Sequence, residues 1–274
     1  MLKSRVLTAI ILLVLFLFAL FALPVAGWAA LVILLVLQGT AEWAKLSKLS
    51  STNANLFWWV TLLLMLVLVW FDANHSIDQQ IVPHMVVYAV SGLLWLFIVP
   101  TWLMIGWKVE QPILMVLTGW AVLLPTGVAM LDLRAISPWI LLMLMGLVWI
   151  ADISAYFVGR RFGKNKLAPS ISPGKTWEGV AGAMLGVSVY VVLVWKYSSV
   201  LGQNEVLPGL LLASWWWVGL AVIGDLFESA IKRQAGVKDS GALLPGHGGL
   251  LDRIDALTPT LPLAALTILL QQLK

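Results

Sequence analysis

The chain has 274 residues, 61% of them hydrophobic and 11% charged, with 16 Trp and a mean hydropathy of +0.96, which excludes a soluble globular domain and places it in a bilayer. With no cysteine, disulfides, Cys-ligated zinc, iron–sulfur clusters and thiol nucleophiles are excluded, and chemistry falls to carboxylates, bases, hydroxyls, the backbone or a bound metal. The formal charge of +4 decides little, because in membrane proteins the placement of Lys and Arg carries more than their sum.

A hydrocarbon core of about 30 Å takes roughly 20 apolar residues per helix. Apolar stretches predict nine spans, over residues 6–22, 25–41, 55–71, 85–107, 112–131, 138–158, 179–195, 207–228 and 254–271. The fold class is therefore all-α: one polytopic transmembrane domain over 1–274, with no room for a separate soluble domain. Lys3 and Arg5 before the first span suggest a signal peptide, but the run is longer than about 15 residues and a second span follows at once, so a helical hairpin is expected. With the amino terminus in the cytoplasm, Arg134, Lys196 and Lys274 fall outside and the other fourteen of the 17 basic residues fall inside. That bias predicts a multi-pass protein of the cell inner membrane with its polar loops on the cytoplasmic face.

Residues 1–135 read as mainly lipid-facing or packing helices, with Trp58, Trp59, Trp70, Trp102 and Trp107 as interfacial anchors. Glu42, Glu110 and Asp132 read as solvated charges at span ends, and His75 and His84 have no partner at metal-ligand spacing. The catalytic portion is expected in 136–274, around cytoplasmic loops 159–179 and 229–255.

In that half carboxylates enter apolar helices: Asp152 in WIADISAYFVG, Asp225 and Glu228 in VIGDLFES, and Asp252 and Asp255 in LLDRIDAL. Each costs at least about 2.5 kcal/mol at the centre of a bilayer, so five together ask for a shared counter-charge. Asp225 and Glu228 are three apart, as are Asp252 and Asp255, so each pair projects from one helix face, expected at the cytoplasmic helix ends. Hard oxygen donors without thiols or paired histidines favour Mg2+, with Asp152, Asp225, Glu228, Asp252 and Asp255 as candidate ligands. The alternative is structural ion pairing with Lys232, Arg233 and Arg253.

Between the acid pairs, residues 229–255 interleave Gly236, Gly241, Gly246, Gly248 and Gly249 with Lys232, Arg233, Lys238 and Arg253, a combination suited to phosphate. His247, flanked by glycines, is assigned to nucleotide or pyrophosphate contact. In loop 159–179, Arg160, Arg161, Lys164 and Lys166 serve as topology determinants or head-group contacts. Ser172, Lys175 and Thr176 precede a helix starting near Trp177, whose amino terminus can receive a phosphate. The string PGKTWEG lacks the upstream glycine of a Walker A loop.

Ser229, Lys232, Arg233, Lys238, Asp239, PGHGG, LDR and Asp255 together resemble, in order and spacing, the signature of the CDP-diacylglycerol synthase (phosphatidate cytidylyltransferase) family, and residues 151–179 resemble its bacterial members. The two segments cover about a fifth of the chain. The resemblance implies a helical membrane enzyme with a metal centre facing the cytoplasm, in which Asp225 and Asp252 are metal-binding acids. It implies that phosphatidate enters from the leaflet and CTP from the cytoplasm, giving CDP-diacylglycerol and pyrophosphate. Lys175, Lys232, Arg233, Lys238 and Arg253 are then candidates for phosphate contact, with Ser172, Thr176, Ser229, Asp239, His247, Gly248 and Gly249 among nucleotide and phosphate ligands. The implied partners are Mg2+, CTP, phosphatidate and membrane lipid, with no nucleic acid; a homodimer stays open. Ala256 departs from the pattern, many members having serine there, which puts substrate preference in question. A CTP-dependent lipid kinase and a transporter are the alternative functions.

Overall fold

The computed structural model describes residues 2–197, 207–243 and 248–272. Helices α1 (Leu2–Ala22) and α2 (Val25–Leu46) form the expected hairpin. Pro24 breaks it, and Arg134 caps the end of α1 by donating to the Leu20 carbonyl at 2.8 Å and the Leu23 carbonyl at 2.5 Å. There follow α3 (Ser51–Asn74), α4 (Ile77–Leu93), a π turn (Leu94–Ile98) and α5 (Val99–Ile105). The π turn sits where Pro100 has no N–H to return to Leu96, and the Val99 N–H bonds instead to the Leu94 carbonyl.

Helices α6 (Pro112–Ile136) and α7 (Pro138–Phe162) lead into a two-stranded antiparallel hairpin, β1 (Lys166–Ala168) and β2 (Ser172–Thr176), then α8 (Trp177–Tyr197), α9 (Leu207–Ala235), the single turn α10 (Leu251–Ile254) and α11 (Leu257–Gln272). All-α architecture is borne out apart from this small hairpin. Seven described helical stretches are long and apolar enough to cross a membrane; the expected first and ninth spans correspond to the shorter apolar helices Ile10–Ala22 and Leu257–Gln271.

Two boundaries differ from expectation. Helix α9 continues seven residues past its predicted end at 228, because Glu228 and Lys232 neutralise one another one turn apart inside it, at 2.5 Å. The predicted last span is broken at Asp255 and Ala256 into α10 and α11. One buried core joins α2, α4, α6, α9 and α11, and a smaller one, including Ala151, Ala183 and Val218, joins α7, α8 and α9. Trp59, Trp70 and Trp107 are exposed as expected of interfacial anchors, whereas Trp102 is buried. With Trp43 and Trp95 it surrounds Phe227 of α9, at ring separations of 5.3 to 6.2 Å.

Candidate active site

Phe227 fixes the stretch of α9 on which the acids sit. Asp225 and Glu228 are not at a helix end: Asp225 lies ten residues before Ala235, and Asp152 ten before Phe162. At about 1.5 Å per residue, both are recessed some 15 Å from the ends of their helices. Gly224 lets α9 close on the far side of the site, since a Cβ there would overlap the Asp255 carbonyl oxygen and press on Pro259.

A cavity of about 320 Å³ opens where α7 and α9 meet residues 238–239 and 252–255. It is lined by Asp152, Asp225, Ser229, Lys232, Arg233, Lys238, Asp239, Asp252, Arg253 and Asp255, all of them residues singled out in the sequence. Lys238 and Asp239 are exposed at its rim, and Ser229 donates weakly to Asp225 at 3.4 Å. Lys232, nearly buried, pairs with Asp252 at 2.6 Å as well as with Glu228. The Arg233 guanidinium donates to the carbonyls of Ile171 and Val237 at 3.4 and 3.2 Å, tying α9 to the turn of the hairpin.

That hairpin delivers Lys175, whose ammonium lies 2.7 Å from Asp225. Its neighbour Thr176 is buried and accepts the Gly179 N–H at 3.1 Å, acting as the cap of α8 rather than presenting its hydroxyl to a ligand. Ser172 pairs across the hairpin with Ala168. His247 lies outside the described residues.

Asp252 has the densest set of partners. Its Oδ2 accepts from the N–H groups of Ser240 and Gly249 at 2.9 and 2.8 Å and lies 3.0 Å from the Ser240 hydroxyl, while Oδ1 meets Lys232. The Gly249 N–H is thus engaged by a carboxylate. Gly248 has φ +82°, and a Cβ on it would come within 2.6 Å of Asp252. Burial pushes the Asp252 carboxyl up, but the Lys232 ammonium and the two N–H groups outweigh it and hold it below the usual carboxylate range.

Glu42 is the residue that sequence reasoning missed. Expected as a solvated boundary charge, it is 1% exposed and reaches across from α2. It accepts from the Leu250 N–H at 2.8 Å, the Leu251 N–H at 2.9 Å, the Ser240 hydroxyl at 2.8 Å and the Gln38 amide at 2.9 Å. A Cβ on Gly249 would overlap both Ser240 Oγ and Glu42 Oε2, so this glycine is needed for the close approach. Its sequence signal was weak: a Glu four residues after a Gln near a helix end.

Asp255 is partly exposed and lines the cavity. Burial and the charges of Asp225, Glu228 and Asp152 push its carboxyl well above the ordinary range, against one hydrogen bond from the Ala256 N–H at 2.9 Å. Mutually repelling carboxylates around one cavity fit a cation with oxygen ligands. Among the described residues these five acids are not drawn into a tight cage, which suits an ion that keeps much of its water. The one described group with three donor atoms within 4.8 Å of one another is Asp72, His84 and Asp132, at the opposite end of the bundle. His84, expected to lack a partner, and Asp132, expected to be solvated, are bonded to one another at 2.7 Å.

A model of the cytidylyltransferase family matches residues 3–271. The chain is 36% identical to a phosphatidate cytidylyltransferase of Haemophilus influenzae, the match covering 96% of each chain. It is 35% identical to one of Pseudomonas aeruginosa, over 97% of this chain and 96% of that protein. A third, from Staphylococcus epidermidis, is 49% identical over 126 residues, 46% of each chain. By a family match that spans nearly its whole length, the chain belongs to the cytidylyltransferase family.

Proposed function

We infer that this protein transfers the cytidylyl group of CTP to phosphatidate, giving CDP-diacylglycerol and pyrophosphate, at the cavity between α7, α9 and residues 238–239 and 252–255. The observation that carries this reading is a single recess in which three aspartates from the last helices meet the basic residues Lys232, Arg233, Lys238 and Arg253. A nucleotidyl transfer between two polyanions needs such a mixture. Phosphatidate is already ionised at neutral pH, so its phosphate oxygen needs positioning and charge neutralisation rather than deprotonation. It attacks the α-phosphorus in line: the new P–O bond forms as the bond to the β-phosphate oxygen breaks, and the electron pair leaves with pyrophosphate.

Asp225, Asp252 and Asp255 are the residues to hold Mg2+, with Asp152 beside them; when bound, the ion supplies neutralisation of the triphosphate charge. Lys175 and Lys232 already stand at Asp225 and Asp252, where their ammonium groups can turn to phosphate oxygens. Arg233, Lys238 and Arg253 line the same recess. Glu228 and Ser229 lie on α9 one turn beyond Asp225, Glu228 holding Lys232 in place. The fourteen-to-three division of basic residues supports an inner-membrane protein with this recess toward the cytoplasm.

The test is conversion of phosphatidate by the purified protein with CTP and Mg2+, following CDP-diacylglycerol and pyrophosphate together. Both products are expected in equal amounts, and Asp225→Asn and Asp252→Asn, still folded, are expected to lose about a hundredfold or more. Release of CDP with a phosphorylated lipid would indicate a kinase, and the absence of either product in active lipid mixtures would set the reading aside.

A further inference from the structure

At the end of the bundle away from the catalytic recess, α3, α4 and α6 each place one ionisable side chain at a common point. His84 is 3% exposed, and both ring nitrogens face carboxylates: Nδ1 lies 2.7 Å from Asp132 Oδ2, and Nε2 lies 3.0 Å from Asp72 Oδ1. The fully buried Tyr88, one turn along α4, donates its hydroxyl to the same Asp132 oxygen at 2.6 Å. The turn that brings α3 against α4 is itself pinned, since the Gln80 side chain donates to the carbonyls of Asp72 and His75 at 2.7 and 2.8 Å. A cavity of about 210 Å³, lined by Gln80, His84, Tyr88 and Asp132 and closed by Ala265 and Leu269 of α11, opens onto the group.

Nothing in cytidylyl transfer uses these residues, and a histidine held between two aspartates is costly to maintain in so apolar a bundle. Two carboxylates leave the group negative whether the imidazole is neutral or protonated, so a cation of higher charge is the missing complement. The donor set, one imidazole and two carboxylates, is the borderline mixture taken by zinc and its first-row neighbours rather than by Mg2+. The three donors already lie near one another. One donor atom from each residue lies within 4.8 Å of those of the other two. In a tetrahedral shell, ligands at about 2.0–2.2 Å from a shared ion lie about 3.3–3.6 Å apart, so the three side chains close the shell by drawing inward by about an ångström. The adjoining cavity has room for the water that completes the coordination.

We propose that Asp72, His84 and Asp132 form a second cation site, distinct from the catalytic acids, that binds a zinc-class divalent ion and clamps α3, α4 and α6 together. The ion cross-links three helices that are otherwise joined at this end by side-chain hydrogen bonds, so its effect falls on stability.

The test uses the full-length protein in detergent, stripped with a chelator and kept in excess Mg2+ so that hard-oxygen sites are filled, with Zn2+ alone as the probe. One zinc per chain is expected to survive gel filtration, with a rise in melting temperature. Co2+ in its place is expected to give the visible absorption of a site with mixed nitrogen and oxygen ligands. His84→Gln, which keeps a hydrogen-bonding side chain, and Asp72→Asn, at a partly exposed carboxylate, are expected to weaken Zn2+ binding about tenfold to a hundredfold or more and to abolish the Co2+ spectrum. The proposal is overturned if the unmutated protein retains no zinc and shows no change in melting, or if both variants bind zinc as it does. The cluster would then be only an imidazolium bridging two carboxylates.

Discussion

Replacing Glu42 by Gln tests whether a residue some 200 positions away in sequence sets Asp252, one of the acids proposed to hold the metal. Glu42 Oε1 serves Gln38 and the Leu250 N–H, and Oε2 serves Ser240 and the Leu251 N–H, all in a buried setting. An amide keeps one oxygen. With that oxygen at the Oε1 position, the new NH2 faces Ser240 and Leu251. The Ser240 hydroxyl has one proton and so serves one carboxylate at a time; it can accept from the NH2 and give its proton to Asp252. The Leu251 N–H has no such alternative and is left against another donor, at a cost of about 1–3 kcal/mol. If that cost is expressed as misplacement of α10, turnover falls between about fivefold and about a hundredfold, at about 1.4 kcal/mol per factor of ten. The assay is kcat for CDP-diacylglycerol formation, with the melting temperature measured on the same preparation. A support role confined to stability would lower melting and leave the kcat of the folded protein unchanged. A folded Gln variant whose kcat stays within a factor of two of the unmutated protein refutes the reasoning.

Three further outcomes follow from the same geometry. Gly249→Ala drives a methyl into Ser240 Oγ and Glu42 Oε2 and is expected to cost about 1–3 kcal/mol of stability and most of the activity, whereas unchanged melting and turnover would show that the contact yields. Lys232→Met leaves the buried carboxylates of Glu228 and Asp252 without their shared ammonium, so denaturation should report a loss of about 3–5 kcal/mol; a loss under about 1 kcal/mol would mean that water already serves them. Asp255, whose carboxyl is raised by burial and the neighbouring acids, contributes stability at low pH that is lost as pH rises through its elevated value, and bound Mg2+ would offset that loss. The gain in melting temperature on adding Mg2+ should therefore grow with pH and vanish in Asp255→Asn, and a gain that is flat with pH counts against the ion meeting this carboxylate.

Much of this was legible in the sequence because it is written locally. Long apolar runs announce helices, and all ten residues lining the candidate recess fall within stretches where acids, bases and glycines crowd together. What was illegible depends on distant partners. Glu42 looks like a boundary charge because its backbone and hydroxyl donors are 198 to 209 residues away. His84 looks solitary because Asp132 is 48 residues off and on another helix. Trp102 has the position of an interfacial anchor, and only the path of α9 turns it inward onto Phe227. The hairpin 166–176 is hidden for another reason: strands of three and five residues containing Pro173 and Gly174 carry no periodicity to read.

The two halves of the recess are held by different physics. Asp225 and Glu228 ride on a helix of 29 residues whose register is fixed by aromatic packing at Phe227, a support that needs no nearby charge. Asp252 rides on a single turn of four residues, and a helix that short cannot hold itself together by its own hydrogen bonds. Its free N–H groups must be taken up from outside, and Glu42 does so from α2, while Lys232 of α9 and the N–H groups of Ser240 and Gly249 bind the carboxylate itself. Lys232 therefore bonds acids of both segments at once. The helices before residue 135 contribute no acid to the recess, yet they supply both the aromatic bed of α9 and the clamp on α10. Substitutions at Glu42 or Trp102 should accordingly disturb catalysis through one segment each, and combining a change at Glu42 with one at Lys232 should cost less than the sum of the two, because both act on the position of Asp252.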